Sequence, residues 1–173
     1  MAKRLIIAVF SIILPLIACS QDINVGSNSF ARGQMMPGNF TCDGENKSPS
    51  LSWDDSLSGI ISYAVIMEDT DAPVGSWVHW IVFNIPAGQK GLAEGAGNTE
   101  GLSSGIKHGL NDWGRPGYGG PCPPGKSEHR YYFRVYALDR MLELEKPEKS
   151  DIEKAMQGHI IGKGEIMARY RRQ

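Results

Sequence analysis

The chain has no excess of charge of either sign: 18 lysines and arginines stand against 19 aspartates and glutamates. With a formal charge of −1 and a pI near 6.4 it offers the phosphate backbone of nucleic acid no broad basic field, which excludes nucleic-acid binding as its main role. Long hydrophobic runs are also missing. The one sustained apolar stretch, Leu5 to Ile17, is too short to cross a hydrocarbon core as a stable helix, and a multi-span membrane protein is excluded. Among three cysteines and four histidines there is no C-x-x-C or H-x-x-x-H spacing, and no repeat, heptad or low-complexity tract appears. What is abundant is glycine, 21 residues, beside 10 prolines in a chain of 173. A chain so rich in both cannot be mostly long helix, so strands and shaped loops should build one domain.

The N-terminus reads as an address. Lys3-Arg4, the apolar stretch and then small residues give residues 1–18 the layout of a signal peptide. Leu16-Ile17-Ala18-Cys19 resembles the lipobox of bacterial lipoproteins, in which the cysteine is lipidated and becomes the new N-terminus. Ser20 in place of aspartate points to the outer membrane, facing the periplasm. The competing reading is small-residue cleavage after Ser20, giving a soluble periplasmic protein. Loss of Lys3 and Arg4 leaves a mildly acidic mature chain. Cys42 and Cys122 then remain as an even pair in an oxidising compartment, and a disulfide between them is expected.

Residues 19–38 read as a lipidated N-terminus and exported arm with a first short strand over 23–30, and 39–173 as the folded domain. Ser62 to Asp69 is an apolar, β-rich run stopped by Pro73, so it delivers acids at a strand end. A strand over 77–85 should place His79, Ile81 and Phe83 on one face by simple alternation. Residues 86–125 hold twelve glycines and no regular period, yet Trp113 and Tyr118 suggest an ordered wall at the rim of a site. The clearest strand, 129–139, puts His129, Tyr131, Phe133, Val135 and Ala137 on one face. Ser150-Asp151-Ile152-Glu153 opens a helix that Gly158 ends, and 164–171 reads as a second helix.

Gly120 to Ser127 spells the phosphate-loop formula, but Pro121, Pro123 and Pro124 lack the N–H groups such a loop uses, and a strand follows where a helix is required. The stronger constellation is Asp69, Asp71, His79, His129 and Tyr131, polar residues at the ends of apolar strands. Imidazolium and phenol donate to an oxyanion, while a carboxylate orients the imidazole and should raise its pKa, so a small anion pocket is expected. Two rivals use the same atoms. The histidines and a carboxylate could ligate zinc in a phosphoester or ester hydrolase, and Cys122 near His129 could be a thiol nucleophile. His108 and His159 read as surface or structural.

Asp69-Thr-Asp71-Ala72-Pro73, Trp77-Val-His79-Trp80, and Pro123-Pro124 before His129-Arg130-Tyr131 resemble the two signature regions of the phosphatidylethanolamine-binding protein family, also called Raf kinase inhibitor proteins. Ser48-Pro49 to Trp53 and Gly119 to Pro124 resemble its bacterial branch, with Cys122 standing where eukaryotic members resemble Gly-Pro-Pro. The resemblance implies a mainly β protein, a sandwich of a larger and a smaller sheet with one or two C-terminal helices. It implies a pocket for phosphate or phospholipid headgroups, lined by Asp69, His79, His129 and Tyr131, with Cys122 or its neighbours supplying a backbone donor. It further implies a binding or inhibitory protein acting on a kinase or protease rather than an enzyme, with no cofactor and no metal.

Overall fold

The computed structural model describes residues 21–98, 102 and 105–173; the expected signal segment and Cys19 lie outside the described residues. Among the described residues nine strands and one α-helix follow in order, besides two short 3-10 turns: β1 (Gln21–Asp22), β2 (Asn24–Gly26), β3 (Leu51–Asp54), β4 (Ser62–Asp69), β5 (Trp77–Pro86), β6 (Gly91–Leu92), β7 (Lys107–His108), β8 (His129–Leu138), α1 (Lys149–Met156) and β9 (Ile160–Tyr170). The six-stranded sheet runs β1-β9-β8-β4-β5-β7 and the three-stranded sheet β2-β3-β6. The chain is thus mainly β, with a larger and a smaller sheet.

The large sheet is covered on both faces, so it carries two apolar clusters. Met67, Trp80, Tyr131, Phe133 and Val135 meet Val25, Leu51 and Trp53 of the small sheet. Ile66, Ile81, Phe83 and Leu138 meet Ile152 and Met156 of α1. Strand β4 lies between β5 and β8 and between both clusters, which is why all eight of its residues are buried and its central stretch, Tyr63 to Met67, is apolar without alternation. Strand β8 alternates buried and part-exposed residues, matching the face assigned to Tyr131, Phe133 and Val135.

Four expectations need correction. Residues 164–171 are not a helix but part of β9, where Ile166, Ala168 and Tyr170 alternate inward. Gly164 permits this, because a Cβ there would lie 1.9 Å from the Ile23 carbonyl oxygen as the N-terminal segment crosses the strand. Residues 21–38 are no separate arm: β1 and β2 pair with different sheets, and Ile23, Val25, Phe30 and Met36 are buried in the core. The cap of helix α1 lies two residues before the expected one. It is Glu148, whose N–H donates to Asp151 Oδ2 at 3.1 Å, while Gly158, at φ +80°, follows the helix end as expected. Finally, β5 does not alternate evenly, and that irregularity builds the site.

Candidate anion site

Strand β4 pairs Met67 with Trp80, then Glu68 with Val78, so one residue of β5 is passed over: a β-bulge at His79. Val78 therefore joins Ile81 and Phe83 in the helix-side cluster, and His79 leaves the face it was expected to share with them. Its ring meets that of Tyr131 edge-on, centroids 5.2 Å apart, on the side of the sheet facing its smaller partner. Asp69 closes β4 opposite Tyr131 of β8, and His129 begins β8. Four of the expected residues converge at one end of three adjacent strands.

Each ring is held by its Nδ1. His129 Nδ1–H donates to Asp69 Oδ2 at 2.7 Å, and Asp69 Oδ1 accepts from the Asp71 N–H at 2.9 Å. His79 Nδ1–H donates to the Gly119 carbonyl at 2.6 Å while the Gly119 N–H donates to the His79 carbonyl at 2.9 Å, so side chain and backbone grip one residue. A Cβ on Gly119 would lie 2.5 Å from the Trp113 ring, so glycine is what lets this wall approach. Both rings have Nε2 left to offer a ligand.

The electrostatics differ from the sequence expectation. Burial is the largest influence on His79 and outweighs the nearby Asp69 charge, so its pKa is lowered rather than raised. At neutral pH this imidazole is uncharged and its Nε2 presents a lone pair. Burial, followed by the charge of Asp69, raises the Tyr131 phenol pKa. The Tyr131 hydroxyl is buried and makes no well-formed hydrogen bond, although the Asp69 carboxylate lies close enough to hold the phenol proton in place both by its charge and by a marginal side-chain contact. Such a donor costs about 1 to 3 kcal/mol unless something satisfies it.

Asp71 has a different place. Its carboxylate takes the Arg130 backbone N–H at 2.8 Å and the guanidinium at 2.9 and 2.6 Å, and Arg130 holds its pKa down. It clamps the β4 end to β8. Cys122 is bonded to Cys42, with Cα atoms 5.4 Å apart, so no thiol is available for the nucleophile reading. In the run before it, Gly119 N–H goes to His79 and Gly120 N–H to Asn46 Oδ1 at 2.7 Å, and three of the four residues after Gly120 are prolines. The Cys122 N–H is the donor remaining in that run.

Within the glycine-rich segment, the described residues 105–125 pack as a wall beside the site. Val78 N–H donates to Asp112 Oδ2 at 2.7 Å, Asp112 N–H returns to the Val78 carbonyl, and Trp113 packs edge-on against His79 at 5.0 Å. The Tyr118 hydroxyl donates to the Phe40 carbonyl at 2.7 Å. Asp112, Asn46 and Arg130 were not anticipated as partners, and the Gly119 carbonyl carries no sequence signature at all. A cleft of about 560 Å³ opens beside His129, between Pro73, Pro124 and Arg130. Among the described residues no three His, Cys, Asp or Glu side chains are grouped to hold a metal. His108 accepts from Trp80 Nε1 at 3.2 Å, and His159 pairs with Asp139 at 2.9 Å on the surface.

A two-sheet β-sandwich with these groups at one strand end defines a class, and the comparisons agree with it. The family model described as phosphatidylethanolamine-binding protein matches residues 26–171, and the chain belongs to that family. It is 44% identical over 151 residues to the UPF0098 protein of Methanothermobacter thermautotrophicus, covering 87% of this chain and 99% of that one. The crystal structure of Escherichia coli YbcL, described as a new member of the mammalian family, superposes with a TM-score of 0.82 at 33% identity, covering 88% of this chain and all of that one. The homologue CT736 of Chlamydia trachomatis gives 0.80 at 38%, covering 89% and 100%.

Proposed function

We propose that this protein binds a phosphoryl group between His79, His129 and Tyr131, and acts as a binding or inhibitory module in the cell envelope rather than as a catalyst. The observation that carries the reading is the buried, unpartnered Tyr131 hydroxyl beside two imidazoles whose Nδ1 atoms are already committed. A phosphate oxygen supplies the missing acceptor. Asp69 orients His129, Asp71 braces the strand end through Arg130, and the Cys122 N–H is a further donor. The ligand class is a phosphate monoester or phospholipid headgroup, and a protein target such as a kinase or protease would meet the same edge. Lipidation at Cys19 would hold the protein to the outer membrane, facing the periplasm. The binding reading is favoured over hydrolysis because Cys122 is oxidised and the Tyr131 phenol is pushed away from its anion.

The pH dependence follows from His79. Its neutral Nε2 accepts a hydrogen bond, so the bound phosphate must carry a proton or donate one to the ring. Binding of a phosphate monoester, whose second pKa is about 6, then takes up one proton above that pH. Affinity should fall as pH rises from 6 to 8, by up to about tenfold per unit. Calorimetric titration of phosphorylethanolamine at pH 6, 7 and 8 checks this. No binding at any of the three removes the reading, and release of inorganic phosphate during the titration would move it to a hydrolase.

A further inference from the structure

Exposed apolar side chains collect at both ends of the sandwich. Val74, 77% exposed, and Trp113 stand at the anion-site end. Ile61, 51% exposed, Met141 and Ile160 stand at the other, where β4 begins, β8 ends and β9 begins. Ile160 pairs with Leu138, and the Ile61 N–H donates to the Leu138 carbonyl, so the two isoleucines flank one residue on neighbouring strands. Met141 follows three residues later.

The path of the chain separates these two ends. Strand β1 runs parallel to β9 with Gln21 level with Gly162, so the chain leaves the described region beside Ile160, two residues from Cys19. Two residues reach at most about 7 Å. Tyr131 is level with Ala168, six residues along β9 from Gly162, which is about 20 Å. An anchor on Cys19 therefore fixes the Ile160 end at the membrane and cannot bring the site end to it. Arg140 and Lys163 contribute cations there, with Asp139 and Glu143 opposing them, so the tether and apolar contact rather than net charge carry the docking.

We propose that the end bearing Ile61, Met141 and Ile160 rests on the membrane holding the Cys19 anchor, so that the anion site opens away from that surface and takes soluble phosphorylated ligands. This rests on the lipidation and anion-site readings given above. The test uses the full acylated chain in phosphatidylcholine vesicles, with a nitroxide on Ile61→Cys or Val74→Cys. The native disulfide and the acylated Cys19 leave the introduced thiol as the target. Collisions with lipid-dissolved oxygen should dominate at position 61 and collisions with an aqueous nickel chelate at position 74. Phosphorylethanolamine affinity should equal that of soluble Cys19→Ser protein, and should not change when phosphatidylethanolamine replaces phosphatidylcholine. A lipid-exposed label at 74, or binding suppressed severalfold by phosphatidylethanolamine vesicles, overturns the proposal. Absence of acyl mass on Cys19 overturns it through the anchor while leaving the anion-site reading intact. Failure of Cys19→Ser protein to bind phosphorylethanolamine overturns the ligand half and the anion-site reading together.

Discussion

His79→Asn and His129→Asn are each expected to weaken phosphorylethanolamine binding roughly ten- to a hundredfold while leaving the fold intact. Asparagine keeps an amide donor near the place of Nδ1, so the bonds to the Gly119 carbonyl and to Asp69 survive and only Nε2 is lost. A hydrogen bond to a charged oxyanion contributes about 1.5 to 3 kcal/mol, which is that range of affinity. Alanine separates two roles that asparagine does not. His129→Ala removes a hydrogen-bond donor from a buried carboxylate and should cost about 1 to 3 kcal/mol of stability in addition. His79→Ala leaves only a neutral carbonyl unpaired and should cost less. Calorimetry for affinity and urea unfolding for stability resolve the four variants. Unchanged affinity in both asparagine variants would remove the imidazoles from the site.

Reduction of the Cys42–Cys122 disulfide is expected to destabilise the protein by about 2 to 4 kcal/mol, since its cysteines lie 80 residues apart and it therefore constrains a long stretch of the unfolded chain. The bond also fastens the 119–124 run to the segment after Phe40, alongside the Cys42 N–H to Pro121 carbonyl bond at 3.1 Å and the Asn46 contact with Gly120. Because Gly119 orients His79, loosening this wall should weaken ligand binding as well as lower stability. Hydrogen exchange should therefore accelerate first at Gly119 and Gly120, before the core strands β4 and β8. Cys42→Ala/Cys122→Ala checks the effect without a reductant. Two alkylatable thiols in denatured, unreduced protein, or stability unaffected by reduction, would contradict it.

The long strands were legible because burial writes a period into their sequences. Strand β8 alternates along most of its length, and β4 is apolar from Tyr63 to Met67 because it is covered on both faces. The small sheet was harder to see, since β3 has four residues and β6 two, too few to show alternation. Residues 164–171 carry the letters of a helix, because Glu165, Met167, Ala168 and Arg169 are good helix formers, but contacts with β8 and the N-terminal segment override that propensity. At the site, residue types announced the chemistry, but the bulge that turns His79 toward Tyr131 has no mark in the sequence. The same holds for the direction of the His79 shift. A neighbouring carboxylate is visible in the letters, whereas the burial that outweighs it exists only in the fold.

Tyr131→Phe, measured for both stability and affinity, tests the central claim most directly. A side chain kept only for packing should lose nothing in ligand binding when its hydroxyl is removed. A hydroxyl buried without a partner in the free protein and satisfied by phosphate should behave otherwise. The account predicts that Tyr131→Phe unfolds at equal or higher urea concentration, gaining up to about 1 kcal/mol, while its affinity for phosphorylethanolamine falls about tenfold. Lower stability with unchanged affinity would contradict it.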